Sequence, residues 1–265
     1  MTSMWHPAIA KVRSGLAVTP NLDDYDRARA AFTWDAARQE LDGLPGGAGL
    51  NIGYEAVDRH VVHGRGERLA IRWLGKSGIV RDISYRALMD ETARFANVLR
   101  RLGVGKGDRV FALLPRVPEL YVACIGTLKN GSVFSPLFSA FGPEPIAARV
   151  ALGEGRILVT TDTLYRRKVA PIRGTLRSLE HVLLLRSDGA DLPTDTVDLG
   201  ELLAGASPSF SVVATDPEDM ALLHFTSGTT GRPKGAIHVH SAVIAHHATG
   251  KLALDFHPQD VFWCP

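Results

Sequence analysis

The sequence predicts an α/β fold of doubly wound, mostly parallel sheets with flanking helices, and three observations predict it. Short continuous apolar runs, Val110 to Leu114, Val133 to Leu137, Ile157 to Thr160, Val182 to Leu185 and Met220 to Phe225, have the pattern of strands buried on both faces. Segments of helical periodicity separate them, which is the alternation from which βαβ crossovers are made. The chain has 265 residues, 45% of them hydrophobic, and a fold of this size hides roughly 70 to 75% of its unfolded surface.

Residues 1–47 mix helix-like pieces, Tyr25 to Phe32 and Trp34 to Leu41, with the breaker Pro45-Gly46-Gly47, and read as an N-terminal extension. Residues 48–205 read as an α/β subdomain. In it, Leu69 to Leu74, the turn Gly75-Lys76-Ser77-Gly78 and Ile79 to Ile83 predict a hairpin. A helix follows, with Ser84 as N-cap, Leu88, Phe95, Val98, Leu99 and Leu102 on one face, and Gly103 as terminator. After the strand Val110 to Leu114, Pro118 opens and Gly131 closes a second helix. Further helices are expected near Pro143 to Ala151 and Leu164 to Leu176. The stretch from Asp188 to Val213 is polar and turn-rich, with a short helical piece at Leu199 to Leu203. Residues 206–265 carry the strand Met220 to Phe225, a Gly-rich loop and the start of a next subdomain. The last residues, Asp260 to Pro265, read as a strand entering a turn.

Thirty Lys and Arg against 28 Asp and Glu give a net charge of +2, too little for a field that would hold nucleic acid or an acidic membrane. A small molecule is the expected partner. Cys124 and Cys264 form no C-x-x-C pattern, which argues against a disulfide framework and a zinc ribbon. No stretch reaches the ~18 apolar residues of a membrane span, and Met1 to Gly15 lacks a signal-peptide core. A soluble cytoplasmic protein is expected. His238, His240, His246 and His247 invite a metal reading, but no H-E-x-x-H pattern or Cys partner accompanies them, so structural or surface roles and no protein metal site are expected.

The chemistry concentrates in Thr226-Ser227-Gly228-Thr229-Thr230-Gly231-Arg232-Pro233-Lys234-Gly235, directly after a predicted strand: four hydroxyl residues, three glycines and two cations in ten positions. Glycine permits positive φ and close backbone approach, hydroxyls donate to phosphate oxygens, and cations make the shorter, charge-assisted bonds. Successive N–H groups can complete an anion nest. A Walker A loop is excluded, because Pro233 precedes and Gly235 follows Lys234. The G-x-G-x-x-G pattern fails as well, since Asp108 stands where the third glycine after Gly103 and Gly105 is required. A flexible surface turn is the plain alternative for such a composition; the order of residues and the preceding strand favour a polyphosphate site.

This segment resembles the signature phosphate loop of the adenylate-forming superfamily. Val57-Asp58-Arg59-His60, Gly105-Lys106-Gly107-Asp108-Arg109-Val110, Pro118-Glu119-Leu120-Tyr121 and Leu128-Lys129-Asn130-Gly131 are similar to its acetyl-CoA synthetase branch. So are Gly235-Ala236-Ile237-His238-Val239-His240 and Asp260-Val261-Phe262-Trp263-Cys264. The likeness runs from about Asn51 to the end and implies part of the large N-terminal domain of that fold. It further implies ATP, Mg²⁺ and CoA as cofactors, and acetate or a short acyl acid as substrate. By that likeness the carboxylate would attack the α-phosphate, pyrophosphate would leave, and the CoA thiol would then take the acyl group, releasing AMP. Thr226, Ser227, Thr229, Thr230 and Lys234 would hold the β- and γ-phosphates, with Gly228, Gly231 and Gly235 shaping the backbone and Arg232 facing solvent.

Phe138, Ser139 and Ala140, with Phe141, resemble the branch's pantetheine path, against the alternative of plain core. Arg166, Arg167 and Lys168 fall where its CoA-contacting segment lies, against the alternative of a solvated helix face. Family members are longer than this chain, so the acyl pocket, the acidic magnesium and ribose ligands, the hinge and the catalytic lysine are expected beyond Pro265, and the chain reads as a front portion inactive alone. Two other readings stay open: an adenylation domain loading another acceptor, and a nucleotide-binding fragment without chemistry.

Overall fold

Side chains alternate across a strand, so a continuous apolar run needs a hydrophobic layer on each face of its sheet, and the central strands meet this requirement. The computed structural model describes residues 15–16, 18–187, 189–227 and 233–263. These fall into two units, 40–243 and a smaller one formed from 15–39 with 244–263. In the smaller unit lie helices Tyr25–Ala31 (α1), capped by the Asp24 carboxylate on the Arg27 N–H, and Trp34–Gln39 (α2). Asn21 there donates from its main chain and its amide to Asp255 Oδ1, at 2.7 and 3.1 Å.

The larger unit opens with a 3₁₀ turn, Pro45–Gly47, then a π-type turn, Tyr54–Asp58, running into the short helix Arg59–Val62 (α3), and the antiparallel hairpin Leu69–Leu74 (β1) and Val80–Ser84 (β2), which forms its own two-stranded sheet. Helix Tyr85–Arg101 (α4) starts at Ser84, whose hydroxyl accepts from the Ala87 N–H at 3.2 Å, and stops before Gly103 at φ +73°. Then come Arg109–Leu113 (β3), Pro118–Lys129 (α5), Val133–Pro136 (β4), Pro143–Leu152 (α6), Ile157–Thr161 (β5) and Asp162–Leu164 (α7). They are followed by His181–Leu185 (β6), Val197–Asp198 (β7), Leu199–Ala204 (α8), Met220–Ser227 (β8), Pro233–Val239 (β9) and Ala242–Leu252 (α9).

The main sheet has the order β7-β6-β5-β3-β4-β8-β9, parallel throughout except for the antiparallel pair β8–β9. Val110 and Ala112 of β3, Ile157 and Val159 of β5 and Leu183 of β6 face one core with Phe95, Val98 and Leu99 of α4, Val122 of α5 and Leu199 of α8. Phe111, Leu113, Leu158, Val182 and Leu184 face the other, with Ile146 and Val150 of α6, Tyr165 and Val169. The sheet is covered on both faces, as the expected doubly wound class requires.

Three expectations need correction. The helix expected near Leu164 to Leu176 is broken into α7, a wide π-type turn Tyr165–Val169 and a 3₁₀ segment Ala170–Thr175, where Pro171 has no N–H to continue a regular helix. Residues 261–263 form no strand, and Val261, Phe262 and Trp263 are exposed; Cys264 and Pro265 lie outside the described residues. Strands β7 and β9 and helix α9 were not expected as elements. No helix among the described residues is long and apolar enough to cross a membrane.

Candidate functional site

The predicted phosphate loop proves to be the closing part of a hairpin. Thr226 pairs with Lys234 and Ser227 with Pro233 across β8 and β9, so the flanks of the motif are ladder residues. Gly228, Thr229, Thr230, Gly231 and Arg232, and the side chain of Ser227, lie outside the described residues. Thr226 and Lys234 are exposed, and the Thr226 hydroxyl lies 3.5 Å from the Lys234 carbonyl. Alternation puts both side chains on the face shared with Leu222, which packs toward the α4–α5 core, while Leu223 and Phe225 point to the other face. Gly235 is exposed and has no positive φ. A Cβ there would stand 3.0 Å from Leu223 Cδ1, so the glycine makes room for that side chain.

Strand β8 is held from both sides. Against β4 a single Cα pair, Phe134 with Leu222, is in register, and the buried Ser135 hydroxyl adds a bond to the Leu223 carbonyl at 2.7 Å. Phe225 stacks on Phe111 with centroids 6.1 Å apart. Phe111 in turn fills the space left by Gly153 and Gly155, where a Cβ would come within 2.7 and 2.4 Å of its ring.

The two candidate CoA segments follow β4 and β5, parallel strands that end at the same edge of the sheet as β8. The structure joins them: the Lys168 ammonium donates to the Ser139 carbonyl at 2.5 Å. Phe138 is 64% exposed, which is not the burial of a plain core residue, and it meets Phe141 edge-on at 5.6 Å. Ala140 is exposed beside it. Arg166 pairs with Asp162 at 2.7 Å and donates to the Asp191 carbonyl, whereas Arg167 is exposed. Arg116, which follows β3 at this edge, is a further exposed cation. No motif singled it out; its place after a buried parallel strand is the signal that could have.

A cleft of about 390 Å³ opens at the opposite edge, between the beginnings of β3, β4 and β8. Its cations are already neutralised, Lys106 by Asp219 at 2.5 Å and Arg109 by Glu154 at 2.9 Å. It therefore offers a polyphosphate less than the exposed cations of the β8 edge do.

Of the four histidines, His240 is fully buried and its Nδ1 accepts the Ile52 N–H at 3.1 Å, a structural role. Burial lowers its pKa to about 4, with Asp219 opposing and Lys106 assisting. His238 lies edge-on to His224 at 5.5 Å, and burial lowers the His224 pKa. His246 and His247 lie on α9 in the smaller unit.

The other motifs converge on a buried polar scaffold. Lys129, 1% exposed, pairs with Asp58 at 2.7 Å and also donates to the Met89 carbonyl at 3.2 Å. Burial pushes the lysine pKa down and the aspartate pKa up, and each partner's charge resists. Arg59 pairs with buried Glu55 at 2.8 Å, and Glu55 accepts the Gly43 N–H at 2.6 Å. Asn130 donates to the Val104 carbonyl at 2.8 Å, and the Gly107 N–H to the Gly131 carbonyl at 3.0 Å. These residues build the frame behind the sheet edge.

A family model described as "AMP-binding enzyme" matches residues 58–265. The acetyl-coenzyme A synthetase of Bacillus subtilis (strain 168) is 37% identical over 247 residues, covering 92% of this chain and 42% of that protein. The acetyl-coenzyme A synthetase of Salmonella typhimurium is 35% identical over 230 residues, covering 81% of this chain and 35% of the relative. The crystal structure of Brucella canis acyl-CoA synthetase superposes with a TM-score of 0.83 at 31% identity, over 91% of this chain and 43% of that one. The chain thus spans about two fifths of the length of the relatives it matches.

Proposed function

The chain belongs to the AMP-binding enzyme family, and from that premise we propose that the whole protein is an AMP-forming acyl-CoA synthetase acting on a short carboxylate, with acetate preferred. The observation that carries this reading is the likeness to acetyl-coenzyme A synthetases along almost the whole chain, 37% identity over 92% of it. The position of the hydroxyl- and glycine-rich loop at the carboxyl end of β8 supports it, because ligands of open α/β sheets bind outside the carboxyl ends of parallel strands.

On this reading the carboxylate attacks the α-phosphate of ATP and expels pyrophosphate, and the chemistry asks the protein mainly for positioning and charge neutralisation. Thr226, Ser227, Thr229, Thr230 and Lys234 grip the β- and γ-phosphates, and Gly228, Gly231 and Gly235 shape the loop. The CoA thiol then takes the acyl group, its arm running past Phe138, Ser139 and Ala140 and its phosphorylated end meeting the basic segment at 166–168. Mg²⁺ accompanies ATP. Among the described residues no group of three His, Cys, Asp or Glu side chains stands ready to hold it.

The test is ATP–pyrophosphate exchange by the full-length protein across a panel of carboxylates, with acetate expected to give the fastest exchange. Lys234→Ala removes a charge-assisted contact worth about 2 kcal/mol, and so slows exchange by roughly thirtyfold. Because Lys234 is exposed, the same change should leave folding stability within about 0.5 kcal/mol. No exchange with any carboxylate would overturn the activity; unchanged exchange in Lys234→Ala would overturn the role of the lysine.

A further inference from the structure

Strand β3 lies between β4 and β5 in the sheet, so no ladder bond joins the segments that follow those two strands. A long side chain crosses the gap instead, the half-buried Lys168 reaching the main-chain carbonyl of Ser139 at 2.5 Å. The turn it grips is held at two further points. Phe141 closes it with an N–H to the Phe138 carbonyl at 2.9 Å, and its ring lies 4.2 Å from the Arg149 guanidinium. The product is a fixed turn carrying one large exposed ring, Phe138. The neighbouring cations divide in the same way. Arg166 is committed to Asp162 and the Asp191 carbonyl, while Arg167 is exposed and, among the described residues, has no ion-pair or hydrogen-bond partner.

We propose that Lys168 is a positioning residue, clamping the turn through the Ser139 carbonyl so that the Phe138 ring walls the path of the thiol arm, and that Arg167 rather than Lys168 meets the phosphorylated end of CoA. The proposal rests on the thioester-forming reading above and changes the division of labour within it. Since the acceptor is main chain, the clamp depends on the donor at 168 and not on the Ser139 hydroxyl.

The experiment uses the full-length protein with Lys168→Met, Lys168→Gln, Lys168→Arg and Arg167→Met. It reads amide hydrogen exchange at residues 138–142 without ligand, and the KM for CoA beside the KM for ATP. Loss of a charge-assisted bond in Lys168→Met and Lys168→Gln should quicken exchange in the turn about tenfold and raise the KM for CoA about tenfold, moving the KM for ATP less than about twofold. Lys168→Arg should restore both. Arg167→Met should raise the KM for CoA with the turn still protected. If the Lys168 variants raise the KM for CoA while exchange is unaltered, the lysine is a direct ligand contact and the proposal is wrong. If exchange quickens and the KM for CoA stays put, the turn has no bearing on CoA and the proposal is equally wrong. A wild-type protein that makes acyl-adenylate but no CoA thioester refutes the thioester reading itself, and the proposal falls with it.

Discussion

Replacing Lys129 by methionine gives the most demanding test of the scaffold behind the site. The lysine side chain is 1% exposed and that of Asp58 12%, with 2.7 Å between Nζ and Oδ2. At an effective dielectric near 20, charges at that separation attract by about 6 kcal/mol. Removing both ions from water costs several kcal/mol each, so the intact pair contributes little beyond an apolar contact, whereas breaking it strands a buried charge at about 3 to 5 kcal/mol. Lys129→Met should therefore lose about 3 to 5 kcal/mol at pH 7.5 in urea titrations followed by circular dichroism. The loss has a sign in pH. Burial raises the Asp58 pKa, so once the lysine is gone the folded state holds a proton that the unfolded state releases. The deficit is then full above the raised folded value and shrinks as pH falls toward the ordinary carboxylate range. Asp58→Leu with Lys129→Met should recover most of the stability, because neither charge remains. A single variant within 1 kcal/mol of wild type, or a double variant as unstable as the two single losses added, would falsify the buried pair.

Three further outcomes follow from the geometry. His240 has a folded pKa of about 4 against 6.5 for the free side chain, so its contribution is complete above about pH 6.5 and is lost as pH falls toward 4, by up to about 3 kcal/mol. His240→Gln, which keeps an acceptor for the Ile52 N–H, should flatten that part of the stability–pH curve; an unchanged slope would remove His240 as its source. A Cβ on Gly126 would sit 2.7 Å from the Thr92 carbonyl oxygen and 2.9 Å from Phe95 Cβ, so Gly126→Ala should destabilise by about 1 to 3 kcal/mol. Gly105→Ala, in open space, is its control. Ser84→Ala deletes the N-cap of α4 and should cost about 1 kcal/mol, read as a shift in the urea midpoint with constant slope.

What the sequence disclosed depended on how local the signal is. Strands β3, β5 and β6 are runs of apolar residues buried to a few per cent or less at most positions, and burial on both faces needs nothing beyond the run itself to be visible. Helix α4 declared its start through Ser84, its face through its apolar spacing and its end through Gly103. Strand β9 was hidden because it is an edge strand whose residues, mostly exposed, include a proline, a lysine and a glycine, a composition that reads as loop. Strand β7 is two residues long and also an edge. The ion pair of Asp58 with Lys129 joins two motifs that the sequence could quote but could not bring together, since no local pattern links residues so far apart. The clamp of Lys168 on Ser139 is hidden for the same reason: its acceptor is a main-chain oxygen, and any residue at 139 would supply one.

The candidate site depends on topology more than on any one of its residues. Phe138–Ala140, Arg166–Lys168 and the end of β8 at Thr226 stand at one edge of the sheet because β4, β5 and β8 run in the same direction. Were β8 antiparallel to β4, the phosphate loop would emerge at the opposite edge, beside the cleft whose cations are already paired. The direction of β8 is thus the fact on which the proposed grouping of these candidate segments turns. It is secured by one registered pair and by the Ser135 hydroxyl on the Leu223 carbonyl, together with the stack of Phe225 on Phe111. Strand β9 returns antiparallel from the loop, so the motif is gripped at both ends by one sheet. The proposed phosphate role needs that, because hydroxyls of such a loop could meet phosphate oxygens only if the strands on either side fix where it begins and ends.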